Sequence, residues 1–117
     1  MESPTTILIV DDHPSFRRCA RALLESDGFA VVGEAEDGAA ALDAIDSLHP
    51  DVVLLDIQLP DMDGFAVLDR LGTKAPPVVL VSSRDASDYN GLIRSSGARG
   101  FIAKADLSGA AVRSLLT

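Results

Sequence analysis

The stretch Val52-Val53-Leu54-Leu55-Asp56-Ile57-Gln58-Leu59-Pro60-Asp61-Met62-Asp63-Gly64 decides the fold. A short apolar run ends in an acid, and a Pro/Asp/Gly cluster then turns the chain. Such a run is predicted to be a strand buried on both faces, with Asp56 on its carboxyl rim. Taken alone, Asp56 reads as a turn or cap residue. Three further runs overturn that reading. Ile7-Leu8-Ile9-Val10 ends in Asp11-Asp12, Val78-Val79-Leu80-Val81 in Ser82-Ser83, and Phe101-Ile102-Ala103 in Lys104. In an open parallel α/β sheet all carboxyl ends lie on one edge, so these groups are expected to converge.

Helical patterns fill the intervals. Pro14 opens the first helix, where its missing N–H is harmless. Phe16, Cys19, Ala20, Leu23 and Leu24 form the apolar stripe, opposite Arg17, Arg18 and Arg21, and Asp27-Gly28 stops it. Phe29 to Ala35 is the second strand. The next helix turns Ala41, Leu42, Ile45 and Leu48 inward and ends at His49-Pro50-Asp51, because Pro disfavours helix at the residue before it. Phe65, Val67, Leu68 and Leu71 mark the third helix, closed by Gly72. Ala86 to Ser96 carries Tyr89, Leu92 and Ile93 at helical spacing. Asn90-Gly91 inside that segment costs about 1 kcal/mol or more in propensity, which makes it the least secure helix. Leu107, Ala111, Leu115 and Leu116 belong to the last helix, capped by Asp106 or Ser108. Strand and helix alternate five times, (βα)5, which with right-handed crossovers predicts a doubly wound α/β sheet. Strand order 2-1-3-4-5 places the switch point where Asp11-Asp12 and Asp56 end.

The 117 residues are enough for one domain that removes roughly two-thirds of its unfolded surface from water. Ten Lys+Arg against eighteen Asp+Glu give a net charge of −8, which argues against this chain gripping nucleic-acid phosphates or anionic lipid by itself. The lone Cys19 has no partner in the chain and is expected to be a buried small hydrophobe, in keeping with a reducing cytoplasm. No apolar stretch approaches the roughly 18 residues needed to span a bilayer, and the N-terminus lacks the regions of a secretion signal, so a cytoplasmic protein is expected.

Three carboxylates in one crevice repel and call for a cation. Oxygen donors without a His or Cys cluster favour a hard ion, and Mg²⁺ suits a site with a few carboxylates and room for water and phosphate oxygens. His13 and His49 read as turn residues rather than ligands, since neither has a partner at metal spacing. Lys104 can pair with the acids or with an incoming anion, and Ser82 adds a hydroxyl. A carboxylate nucleophile, a divalent metal, a Lys and a hydroxyl are the parts needed to take up a phosphoryl group covalently.

In Val10-Asp11-Asp12, Leu55-Asp56 with Pro60-Asp61-Met62-Asp63-Gly64, Val81-Ser82-Ser83 and Gly100-Phe101-Ile102-Ala103-Lys104, the chain resembles the receiver domain of bacterial two-component response regulators. The resemblance covers residues 1–117 as one receiver domain and implies the flavodoxin-like fold. It also implies that Asp56 is the phosphoacceptor, served by a phosphohistidine of a sensor histidine kinase or phosphotransfer protein. By the same resemblance, Asp12, Asp56 and the backbone carbonyl of Gln58 ligate Mg²⁺, and Asp11 reaches it through water. Lys104 and an inward-turned Ser82 hold phosphoryl oxygens, and Phe101 swings as Ser82 moves. The implied output is a population shift in the face made by the fourth helix, fifth strand and fifth helix, with no enzyme activity beyond self-phosphotransfer and autodephosphorylation. Gly97 to Leu116, with His13-Pro14, is most similar to regulators carrying a LuxR-type helix-turn-helix effector. The chain is expected to be either a single-domain regulator or the receiver part of a longer one, with a homodimer among its expected assemblies.

The sequence departs from the family pattern at several places. Ala105 follows Lys104 where many members carry Pro. Phe101 replaces the common Tyr, which is expected to remove any hydroxyl-dependent readout, and Gln58 and Arg84 occupy positions that in the family tune the phosphate's lifetime. Two alternatives compete. A haloacid-dehalogenase-like metal-dependent phosphohydrolase wants a second acid where Gln58 stands, and usually a cap domain. A phosphorylation-independent interaction module is expected to have lost Asp56, an acid of the pair or Lys104, and all are present.

Overall fold

The computed structural model describes residues 3–89 and 91–117. Five strands, β1 (Thr6–Val10), β2 (Ala30–Ala35), β3 (Val52–Asp56), β4 (Val78–Ser82) and β5 (Gly100–Ala103), alternate with helices α1 (Pro14–Ser26), α2 (Gly38–Leu48), α3 (Gly64–Leu71), α4 (Leu92–Ser95) and α5 (Gly109–Leu116). The strands pair in parallel in the order β2-β1-β3-β4-β5, as the alternation predicts. β3 and β4 are buried along their whole length, and β1 from Ile7 onward, which is why they read as continuous apolar runs.

The sheet separates two apolar layers. On one side Ala20 and Leu24 of α1 and Val112 of α5 pack against Ile7, Ile9, Leu54, Val79 and Val81. On the other, Ala41 and Ile45 of α2 and Val67 and Leu68 of α3 pack against Leu8, Val10, Val53, Leu55 and Leu80. Successive strand side chains point to opposite faces, so each central strand feeds both layers.

Register fixes the functional edge. Val10 lies opposite Leu55, Asp56 opposite Val81, and Ser82 opposite Ala103. Asp11 and Asp56 therefore leave the sheet at one level, with Ser82 one residue and Lys104 two residues beyond it on the same edge. Helix starts and stops follow local chemistry. Pro14 occupies the first turn of α1; Asp37, Asp63 and Ser108 accept N–H bonds from Ala40, Ala66 and Ala111 to cap α2, α3 and α5. Of the two expected caps for α5, Ser108 does the work. His49 ends α2 in the left-handed region at φ 49°, directly before Pro50.

The structure corrects several expectations. Cys19 is exposed rather than buried, and Leu23 is 38% exposed. The core-facing stripe of α1 is the buried Ala20 and Leu24 with the partly buried Phe16, and it is rolled toward Arg17 and Arg21, whose guanidinium groups reach Glu34 of β2 at 3.0 and 2.9 Å. That roll carries Cys19 out to solvent. The segment expected as one helix from Ala86 to Ser96 is a 3₁₀ turn, Ala86–Tyr89, and the single helical turn of α4, with Gly91 left-handed at φ 82°. Asn90 lies outside the described residues. Leu92 is 52% exposed, and Leu48, expected inward on α2, is 44% exposed. All peptide bonds among the described residues are trans, including Lys104-Ala105. No helix among them is long and apolar enough to cross a membrane.

Candidate functional site

Asp56 is the last residue of β3, with only 2% of its surface exposed. Its two oxygens have different partners. Oδ1 accepts the Gln58 backbone N–H at 3.1 Å, and Oδ2 accepts from Lys104 Nζ at 3.3 Å. The turn after Asp56 is fixed from both sides. Gly64 N–H donates to the Ile57 carbonyl at 2.7 Å, and a Cβ on Gly64 would lie 2.9 Å from the Asp56 carbonyl oxygen, so only glycine lets α3 start this close to β3. Asp61 then reaches across to the N-terminus of α2, accepting from Gly38 N at 2.8 Å and Ala39 N at 3.0 Å. Those N–H groups hold the Asp61 carboxyl below its ordinary range.

The acids converge as the strand ends predict. Carboxylate oxygens of Asp11, Asp12 and Asp56 and a ring nitrogen of His13 all lie within 4.8 Å of one another. Lys104 Nζ stands 2.6 Å from Asp11 Oδ2 and 4.5 Å above the Phe16 ring. His13 is a turn residue, as expected, but it is not remote from the chemistry. Its Nδ1 donates to Asp11 Oδ1 at 3.0 Å and lies 3.1 Å from Asp12 Oδ1. One Nδ1 hydrogen cannot serve both acceptors. Asp12 Oδ1 is buried without a hydrogen-bond partner; Asp11 Oδ2 meets the ammonium as a charge contact outside hydrogen-bond alignment.

Electrostatics divides the acids. Burial pushes the Asp56 carboxyl up to about 6; the Gln58 N–H opposes this, and the neighbouring Asp11 charge adds to it. Burial also acts upward on Asp11, yet Lys104 and the His13 N–H together hold it below the ordinary carboxylate range. Burial disfavours the Lys104 charge, but Asp11 and Asp56 outweigh it and raise its pKa. The crevice thus holds a firmly ionised acid, a firmly charged lysine, and a carboxylate that ionises only near neutrality. The buried Asp12 oxygen without a hydrogen bond, beside the carboxylates of Asp11 and Asp56, fits a hard divalent cation.

Ser82 is fully buried at the same edge, but it is turned away from the acids. Its Oγ lies 2.6 Å from the Tyr89 hydroxyl and accepts the Arg84 backbone N–H at 3.0 Å. Phe101 is half-buried, its ring 6.2 Å from that of Tyr89, which in turn meets Phe65 edge-on at 5.8 Å. The Arg84 and Gln58 residues are exposed. The replacement of Tyr by Phe at position 101 therefore does not strip the site of an aromatic hydroxyl. Tyr89 supplies one from a neighbouring element. By spacing Tyr89 fits the apolar stripe of Leu92 and Ile93, and its approach to Ser82 depends on a 3₁₀ turn that no periodicity reveals. Asp61 stands in the turn motif, and its capping of α2 depends on a contact with Gly38 and Ala39 that only the fold brings about.

The family pattern described as the response regulator receiver domain matches residues 7–110. The chain belongs to this family. A putative transcriptional regulator of Pseudomonas aeruginosa is 43% identical over 100 residues, covering 84% of this chain and 48% of its own length. The nitrate/nitrite response regulator NarP of Escherichia coli is 43% identical over 106 residues, covering 87% and 49%. This receiver thus spans about half the length of these curated relatives. Among solved structures, the receiver domain of the putative response regulator NarL from Mycobacterium tuberculosis superposes with a TM-score of 0.84 at 35% identity over 98% of both chains. The receiver also superposes on a chain of the CheX–CheY–BeF3–Mg complex from Borrelia burgdorferi, with a TM-score of 0.84 and 29% identity over 97% and 87% of the two chains.

Proposed function

We propose that Asp56 is the phosphoacceptor of this receiver, and that residues 1–117 act as one switching unit fed by a phosphohistidine on a sensor histidine kinase or phosphotransfer protein. The observation that carries this is the pairing of Asp56 Oδ2 with Lys104 in a crevice where burial sets the carboxyl at about 6. Just above that value Asp56 is an ionised nucleophile whose charge is poorly solvated. One Asp56 oxygen forms the bond to phosphorus as the bond to the donor imidazole nitrogen breaks, the electron pair leaving with the imidazole. Gln58 N–H orients one carboxylate oxygen toward the turn, which leaves the Lys104 side for the reacting one. Lys104 then follows the charge onto a phosphoryl oxygen, and Ser82 turns in to donate to another.

Asp12, Asp56 and the Gln58 carbonyl would hold Mg²⁺, with Asp11 reaching it through water; the buried Asp12 oxygen without a hydrogen bond, beside the oxygens of Asp11 and Asp56, supports this donor set. When bound, the metal supplies positive charge against the transferring phosphoryl group. The chain in this reading works in the cytoplasm with its donor, turns over no separate substrate, and binds no nucleic acid itself, its net charge of −8 opposing that. Its switched face, around α4, β5 and α5, addresses an output domain, a partner or a second copy. Incubation with acetyl phosphate and Mg²⁺ should add one phosphoryl group by mass, and Asp56→Asn should abolish the addition. Equal labelling of that variant would refute the assignment.

A further inference from the structure

Ser82 is the part of the site that has to move, and its partners in the unphosphorylated protein are specific. Its buried hydroxyl is shared between the Tyr89 hydroxyl at 2.6 Å and the Arg84 N–H at 3.0 Å. Tyr89 ends the 3₁₀ turn Ala86–Tyr89, and its ring sits between Phe65 of α3 and Phe101 of β5. Neither that turn nor α4 contributes a fully buried residue. Tyr89 and Ile93 are the partly buried side chains by which this segment holds to the core. One side chain therefore grips both the hydroxyl at the site and the weakest part of the fold.

We propose that Tyr89 is a positioning residue that latches Ser82 away from the phosphoryl position and ties that latch to residues 86–95. The proposal rests on Asp56 as phosphoacceptor for its purpose, but not for its geometry. When Ser82 turns to a phosphoryl oxygen it gives up the Tyr89 hydroxyl, which is then left without its partner in a half-buried place. The ring is no longer held where it was, and it is the ring that separates Phe101 from Phe65. Phe101 has no hydroxyl and cannot replace the lost bond. The hydroxyl-dependent readout thus belongs to the segment preceding α4 rather than to β5.

Substituting Tyr89→Phe keeps the ring and removes only the hydroxyl, so loss of folding is not the expected result. In metal-free buffer the unfolding equilibria of the parent, Ser82→Ala, Tyr89→Phe and the double variant should be coupled. The double variant should unfold about fivefold less readily than the product of the two single effects predicts. With acetyl phosphate and Mg²⁺, Tyr89→Phe should gain its phosphoryl group several-fold faster than the parent. The chain has one Tyr and no Trp, so its tyrosine emission comes from Tyr89 alone and should change in step with phosphorylation. Phosphorylation with multiplicative unfolding effects, an unchanged rate in Tyr89→Phe, or constant emission would overturn the latch and leave Asp56 standing. Coupled unfolding without any gain of phosphoryl mass would overturn the Asp56 assignment and support the hydrogen bond.

Discussion

At Asp56, burial is the largest influence on the carboxyl and pushes it up to about 6, against an ordinary value of 3.8. An acid raised on folding favours the folded state at pH below its unfolded pKa, and that contribution is lost as pH rises through the folded pKa. At neutral pH the parent therefore bears a penalty for ionising Asp56 that an amide would not. Asp56→Asn should be more stable than the parent at about pH 8 without metal, by on the order of 2 kcal/mol. The margin should close below about pH 3, where the parent carboxyl is protonated in both states. Urea unfolding at the two pH values measures this, and an equal margin at both would contradict the account. Asp11 behaves oppositely: held below its ordinary range, its contribution is present at neutral pH and fades as pH falls through its folded pKa. Asp11, Asp56 and Lys104 were legible because each directly follows an apolar run. His13 was not, because only the fold reveals that its ring turns back onto both acids.

The elements divide by how well they are anchored. Helix α1 spans thirteen residues with Ala20 and Leu24 fully buried, whereas α4 spans four and buries none. Opening free energy tracks buried contact, so the 86–95 segment lies at the low end of local stability. Hydrogen exchange should find residues 84–97 among the least protected amides before phosphorylation and should show the largest change there and around Phe101 afterwards. Ile7 to Val10 and Val52 to Leu55 should barely change. Protection of Ala86 to Ser96 equal to that of α1, unaltered by phosphorylation, would refute this. The weakness was visible in Asn90-Gly91. The break into a 3₁₀ turn and a single helical turn was not, since Tyr89, Leu92 and Ile93 keep helical spacing across it. Nor was the roll of α1, because a stripe centred on Phe16 and Ala20 fits two orientations and the choice is made by Glu34 on β2.

Over the whole molecule, alternation and handedness made the doubly wound sheet legible, since four right-handed crossovers leave few ways to cover both faces, and the convergence of the acids picked out the order 2-1-3-4-5. The same topology gathers like charge at one edge of a chain already at −8. A divalent cation that binds only the folded crevice should stabilise it by about 2.7 kcal/mol at a free concentration a hundredfold above its dissociation constant. Asp12→Ala should abolish most of that response while raising metal-free stability. Thermal melting with and without Mg²⁺ tests both, and a parent indifferent to Mg²⁺ would count against the metal site. The sheet also stands between α1 and the aromatic part of the switch: Phe65, Tyr89 and Phe101 all lie in the layer of α2 and α3, and α1 lies behind the strands. Cys19 stands exposed on α1, and it is the chain's single thiol. A maleimide linker would therefore mount every copy on a sensor surface in one orientation, held by the helix across the sheet from Phe65, Tyr89 and Phe101, with those aromatics directed toward whatever flows past.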